Sequence, residues 1–297
     1  MYKNVVYSLQ LRMKEWRLQN ANRRQPGEFL LIFSFTPEEK KLMKRPFFVF
    51  LSVIVLLATA LSACSPAAAT APSSLIKVRV ATDATYPPFE SVDDKTKELV
   101  GYDIDLIKAV ATKAGFDLEL VNINFDALLA GMGTCQYDLA ISATTITDDR
   151  KKTMLFSDPY IAGGQILAVQ KTNTTINSKD DLQGKKIGVQ ISTTGAIEAG
   201  KITGATVKTY DTVDLAFQDL ANGQIDATIV DYPTSANYVA KMSDKIKNVG
   251  QVFTDESYGI VACKTKTDLI AKVNTALAAL KSEGFLTQLE DKWVKAK

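Results

Sequence analysis

"GYDIDLIKAVATKAGFDLELVNINFDALLAGMGTCQYDLAISA", residues 101–143, decides the fold. Residues 102–115 carry apolar side chains at helical spacing and stop at Gly115, the residue type best suited to a left-handed helix end. "FDLELVNI", 116–123, reads as a strand, 124–133 as a second helix ending in glycine, and "YDLAISA", 137–143, as another strand. Upstream, "IKVRVATD", 76–83, is a β-branched strand with alternating polarity. Strand and helix alternate, which predicts an α/β fold built on a largely parallel sheet.

The pattern restarts after a long extended segment, 156–170. Strands are expected at 185–190, 206–210 and 225–231. Helices are expected near 194–201, over 211–223 with Asp211 as N-cap, and from the last strand to about 241. Residues 257–264 read as extended, and helices over 267–282 and 284–295 follow. The chain therefore contains two α/β units and a helical tail. Open α/β sheets bind ligands beyond the carboxyl ends of their strands, so the cleft between the units is the expected site.

Composition narrows the chemistry. The 297 residues include no histidine, which removes Ser-His-Asp and Cys-His catalysis and zinc sites that need imidazole. No cofactor or metal is expected. Residues 64–297 hold 25 Lys and Arg against 29 Asp and Glu, a net of −4 that argues against nucleic acid as a partner. The three cysteines, Cys64, Cys135 and Cys263, form no C-x-x-C pair. Cys135 and Cys263 are read as buried single thiols, with pairing open in an oxidising compartment.

The first 64 residues are not read as fold. Met43-Lys44-Arg45 is a basic start, and residues 46–63 are an uncharged apolar run of 18 ending in small residues before Cys64. This is a secretory signal layout, a membrane anchor being the plainer alternative. "LSAC", 61–64, resembles the bacterial lipoprotein signal, which implies lipidation of Cys64 and a membrane attachment. "SPAAATAPSS", 65–74, suits a flexible tether. Residues 1–42 are expected to be an upstream extension that is not translated, Met43 being the start.

Several motifs in order, "ATDATYPPFE" (81–90), "FDALLAGMGTCQYDLAISATTITDDRKKTMLFSDPY" (125–160), "GKKIGVQISTTG" (184–195) and "DATIVDYP" (226–233), resemble the bacterial extracellular solute-binding proteins for polar amino acids, chiefly those for glutamine and for lysine, arginine and ornithine. The resemblance spans roughly 75–297. It implies a type II periplasmic-binding-protein fold: two lobes, each a mainly parallel sheet flanked by helices, joined by a two-strand hinge. Residues 75–160 and 257–297 form lobe one, 165–253 lobe two, and 160–164 with 254–258 the hinge, where Gly163 and Gly164 would absorb backbone rotation. The tail helices return to lobe one. The function implied is capture of a free L-amino acid by hinge closure and delivery to the permease of an ABC importer, by an extracytoplasmic, lipid-anchored monomer that is not an enzyme. A cyclohexadienyl dehydratase-like enzyme on the same fold is the rival, and a sensory receptor module a further one.

Taken alone, Arg150 is either a solvated surface arginine or a carboxylate clamp, since a guanidinium grips a carboxylate with two parallel hydrogen bonds. The resemblance implies the clamp. Asp231 is either the N-cap of the following helix or, as the resemblance implies, the acceptor for the ligand's ammonium group. Ser142, Ala143 and Thr145 follow a strand and are implied to bond both ends of the amino-acid head. Gln190, Thr193 and Thr194 lie in a strand-to-helix turn implied to meet the carboxylate from the other lobe. Ser192 stands where the family usually has glycine, which leaves the local backbone path open. Tyr86 and Phe125 are implied to sandwich the side-chain stem, and Phe89 is core. Asp83 is implied to meet the ligand's distal polar end, which suits glutamine, arginine or lysine. Pro87 and Pro88 fix φ and stiffen the Asp83–Tyr86 wall before a ligand arrives.

Overall fold

The computed structural model describes residues 75–295. The readings of 1–42, of 43–63, of Cys64 and of 65–74 lie outside the described residues. The chain runs β1 (Ile76–Thr82), β2 (Thr85–Tyr86), β3 (Glu90–Val92), β4 (Leu99–Val100), α1 (Tyr102–Ala114), β5 (Phe116–Asn122), α2 (Phe125–Gly133), β6 (Leu139–Ala140), α3 (Asp148–Thr153), β7 (Met154–Phe156), β8 (Ile161–Gly163) and β9 (Gln165–Gln170). It continues through β10 (Lys186–Gln190), α4 (Thr194–Gly200), β11 (Thr206–Tyr210), α5 (Val213–Ala221), β12 (Ala227–Asp231), α6 (Tyr232–Lys241), β13 (Ile246–Val249), β14 (Glu256–Tyr258), β15 (Val261–Cys263), α7 (Thr267–Ser282) and α8 (Phe285–Leu289).

Two five-stranded sheets form two lobes. Their orders, β5-β1-β6-β15-β7 and β11-β10-β12-β9-β13, are the same arrangement twice, although the sequence shows no repeat. β1 pairs in parallel with β5 from Ile76↔Phe116 to Thr82↔Asn122. β10 does the same with β11 from Lys186↔Thr206 to Gln190↔Tyr210. One strand in each sheet runs against the rest: β15 in the first and β9 in the second. Each is the strand reached just after the chain crosses between the lobes. The mainly parallel sheets expected from the sequence therefore hold, with one reversed strand apiece.

The crossings pair as a ribbon, β8 against β14, from Glu256↔Gly163 to Tyr258↔Ile161. A Cβ added to Gly163 would lie 2.4 Å from the Tyr258 ring, and one on Gly164 2.4 Å from the Thr254 carbonyl. These glycines are required by close approach, whereas neither has the left-handed φ that only glycine adopts readily.

The helices bury their apolar faces on the sheets. α1 buries Ile104, Leu106, Ile107 and Val110 and ends at Gly115 in the left-handed conformation, φ 73°. α7 packs beside α1, and Lys113 reaches Glu283 at 2.7 Å. Lys292 and Trp293 both bond Asp105, so the tail does return to the first lobe. In the second lobe Phe217 is fully buried and stacks on Tyr238 with ring centres 4.4 Å apart. Truncating such a ring costs about 3–5 kcal/mol.

Several boundaries differ from expectation. The strand over 137–143 shrinks to Leu139–Ala140, because the chain turns away after Ile141, with Ala143 at φ 42°. Asp211 is not an N-cap: α5 follows Thr212, and the Asp211 carbonyl accepts from Gln190 Nε2 at 3.2 Å. The run 257–264 splits between the ribbon and the first sheet. The last helix is α-helical only over Phe285–Leu289, then widens into a π turn over Glu290–Val294. Cys135 and Cys263 are not single thiols but a disulfide, Cα–Cα 5.0 Å, closing a separation of 128 residues. Cys135 takes φ 60° in the turn after α2, which carries it beside β15.

Candidate functional site

Strand ends build the site. β1 ends beside Asp83, β6 leads into Ser142, Ala143 and Thr145, β10 ends at Gln190, and β12 ends at Asp231. Helix starts supply the rest: Phe125 opens α2, Arg150 lies in the first turn of α3, and Thr193 caps α4 while Thr194 opens it. All eleven residues singled out in the sequence line one pocket between the lobes.

Arg150 comes from the first lobe. Its Nη1 donates to the Thr145 carbonyl at 2.8 Å and its Nη2 to the Ser192 carbonyl of the second lobe at 3.0 Å. The guanidinium carbon lies 5.4 Å from the centre of the Phe125 ring, a cation–π arrangement. Burial draws this guanidinium below its ordinary pKa, while Asp231 and Glu256 nearby oppose that. Ser192 takes φ 65°, the path a glycine would take, and its hydroxyl donates to Asp126 across the cleft.

Asp231 faces it from the second lobe. Its side chain makes no cap bond on α6. It accepts instead from Tyr86 Oη at 2.5 Å and from Tyr258 Oη. Burial raises its pKa to about 6, the charge of Glu256 adds to that, and the two tyrosine hydroxyls work the other way. Tyr86 is thus an inter-lobe partner of Asp231 as well as an aromatic wall. Phe89 is fully buried behind it, edge-on to Tyr102 and Tyr258, as core.

Asp83 lines the same pocket. It is 2% exposed and accepts from Phe125 N at 3.0 Å, Thr85 Oγ1 at 2.9 Å and Gln190 Nε2 at 2.7 Å. Burial raises its pKa and these donors offset part of the rise. The Pro87–Pro88 peptide that follows is cis. Gln190–Asp83, Tyr86–Asp231, Arg150–Ser192 and Tyr238 Oη to the Thr85 carbonyl at 3.1 Å all join the two lobes.

Not every backbone group expected to face a ligand does so. The Ala143 N–H donates to Asp103 at 2.7 Å, and Ala143 takes φ 42°. Ser142 Oγ accepts from Asp83 N and donates to Glu90 at 2.9 Å. Glu90 and Asp103 are fully buried behind this turn. Burial raises both carboxyls; the Asp103 charge raises Glu90 further, whereas the hydrogen bond with Glu90 lowers Asp103. Thr193 is the side-chain cap of α4, accepting from Ala196 N at 3.1 Å.

Sequence reasoning missed Glu256 and Tyr258. Both point inward from β14, whose alternating burial puts them on one face. The period-2 spacing in "ESY", 256–258, was the available signal. Gln165 was missed as well; its Nε2 donates to Thr194 Oγ1 at 3.1 Å.

A family model for bacterial extracellular solute-binding proteins, family 3, matches residues 78–296. The L-cystine-binding protein TcyJ of Escherichia coli (strain K12) is 35% identical over 219 residues, covering 73% of this chain and 82% of its own length. The ABC transporter arginine-binding protein 1 of the same strain is 33% identical over 228 residues, covering 74% and 92%. An ancestral arginine-binding protein has been solved bound to arginine and bound to glutamine. Both structures match with TM-score 0.71 at 39% identity; the arginine complex covers 73% of this chain and 97% of that one, the glutamine complex 74% and 98%. These relatives are binding proteins, not enzymes, so the dehydratase reading gains nothing from them.

Proposed function

The chain belongs to the bacterial extracellular solute-binding proteins, family 3, and from that membership we propose that it captures an L-amino acid with a cationic or amide side chain, arginine before glutamine and lysine, for an ABC importer. One observation carries the reading: Arg150 from the first lobe and Asp231 from the second line a single pocket together with Asp83. An amino-acid head brings a carboxylate for Arg150 and an ammonium for Asp231. Asp83 is then left for the side chain. It favours a cation or an amide, repels glutamate, and is left unpaired by leucine. The arginine-binding relatives support the same order.

Each lobe holds half of the grip, so ligand shifts the population toward the closed arrangement. Residues 160–164 and 254–258 act as the hinge between 75–160 with 257–297 and 165–253. The permease reads the closed form. The protein works outside the cytoplasm, as a monomer held to the membrane by lipid on Cys64; the "LSAC" motif supports this.

The test is a thermal-shift screen of ligand-stripped protein against the twenty amino acids and L-cystine. At about 100 times its Kd a ligand adds about 2.7 kcal/mol, a shift of several degrees. Arginine is expected to give the largest shift. A response to cystine alone would replace the side-chain assignment, and no response to any of them would end the reading.

A further inference from the structure

Glu256 sits in the ribbon, 8% exposed, behind the cavity wall. Its Oε2 accepts from Thr145 Oγ1 at 2.7 Å and from Thr194 Oγ1 at 2.9 Å, and its Oε1 from Thr254 Oγ1 at 2.9 Å. Thr145 belongs to the first lobe and Thr194 to the second; both line the cavity, and their hydroxyl oxygens are 3.4 Å apart. The backbone enforces this meeting. Thr145 bridges Tyr258, and the Ile146 N–H donates to the Ser257 carbonyl at 2.9 Å. Thr254 Oγ1 itself accepts from Gln165 N at 2.7 Å, so its single proton goes to Glu256.

A hydroxyl has one proton to give and two lone pairs to receive with. Thr145 and Thr194 spend their protons on Glu256, so only lone pairs remain for the cavity. On Thr194 one of these already receives Gln165 Nε2. Asp231, whose charge lies close enough to Glu256 to be felt, supplies further acceptors at the same end. A residue at 256 without acceptor atoms could not do this. With methionine there, no oxygen receives the two threonine protons, and nothing holds them away from the cavity.

We propose that Glu256 is a positioning residue that fixes the Thr145 and Thr194 hydroxyls as acceptors toward the cavity, making this end of the site selective for a donor-bearing cation, the α-ammonium group of the captured amino acid. The proposal rests on the amino-acid-capture reading above. Glu256 acts through the threonines and touches no ligand itself. A carboxylate that only tied the lobes together would leave ligand chemistry unchanged.

The experiment compares wild type, Glu256→Met, the Thr145→Val/Thr194→Val pair and the triple variant, all purified from cells expressing the full chain. Each is titrated by calorimetry with L-arginine and with 5-guanidinopentanoic acid, which is arginine without its α-amino group. Glu256→Met is expected to weaken arginine roughly tenfold or more. The deaminated compound should change by less than about twofold, and the triple variant should bind arginine about as the Thr145→Val/Thr194→Val pair does. Equal losses for the two compounds, an unchanged arginine affinity, or a triple variant weaker than the threonine pair by the full loss of Glu256→Met would each overturn the proposal. If Glu256→Met does not fold, the Thr145→Val/Thr194→Val pair alone must show the same selectivity for the proposal to stand. Wild type binding no amino acid would instead remove the reading on which the proposal rests.

Discussion

Replacing Asp231 by asparagine should abolish a specific part of the pH dependence of capture. The buried carboxyl has a pKa of about 6 against an ordinary 3.8. A cation beside it favours the ionised form, so ligand and proton compete at this group. The sign follows directly: above about pH 7 the group is ionised and affinity is flat, and affinity falls as pH drops through 6. At pH 5.0 roughly ten in eleven carboxyls are protonated, so Kd should be about tenfold weaker than at pH 7.5. The raised value allows a ceiling of about 100-fold near pH 4. In Asp231→Asn, arginine should bind about 2–4 kcal/mol more weakly at pH 7.5, roughly 30–1,000-fold, because one partner of a buried charge pair is gone. That variant should also lose the tenfold change between pH 7.5 and 5.0. Calorimetric titration of L-arginine into both ligand-stripped proteins at pH 5.0, 6.0 and 7.5, at fixed ionic strength, reads both effects. Parallel pH profiles for the two proteins, or equal affinities at pH 7.5, would refute the assignment of the ammonium to Asp231.

Three further outcomes are expected. Asp83→Asn keeps the shape of this part of the pocket and removes its charge, so arginine affinity should fall about 10–100-fold while glutamine falls much less, by competition titration; equal falls would place the side chain elsewhere. Reducing the Cys135–Cys263 bridge frees a separation of 128 residues and should cost about 2–4 kcal/mol, lowering Tm by several degrees in a melt with and without dithiothreitol; an unchanged Tm would argue that the bridge adds nothing to stability. Cys64→Ala should move the protein from the membrane fraction to the soluble fraction on cell lysis and remove a lipid mass from the mature chain; unaltered fractionation would contradict the lipid anchor.

The parts of this molecule that were legible in its sequence are those set by local rules. A helix closed by Gly115 and strands such as the β-branched run at Ile76–Thr82 lie where local rules put them, and the polar residues standing where apolar runs stop line one pocket. The family motifs supplied the roles that local rules left open at Arg150 and Asp231. What escaped depends on pairing between distant segments. Glu256 and Tyr258 gain their roles only when β14 meets β8, and nothing local marks that pairing. The reversed directions of β9 and β15 follow from the same crossings. The disulfide needed the turn at Cys135 to deliver its side chain to β15. Ala143 escaped for another reason: its N–H is taken by Asp103, 40 residues earlier, so a group that reads as available is already committed.

The most direct test of the account is a crystal structure of the protein grown with L-arginine. The account predicts the ligand between the lobes, its α-carboxylate on the Arg150 guanidinium, its α-ammonium against Asp231 and Thr145 Oγ1, and its side chain reaching Asp83. A ligand lying outside this cavity, or seated in it with head and side chain exchanged, would contradict it.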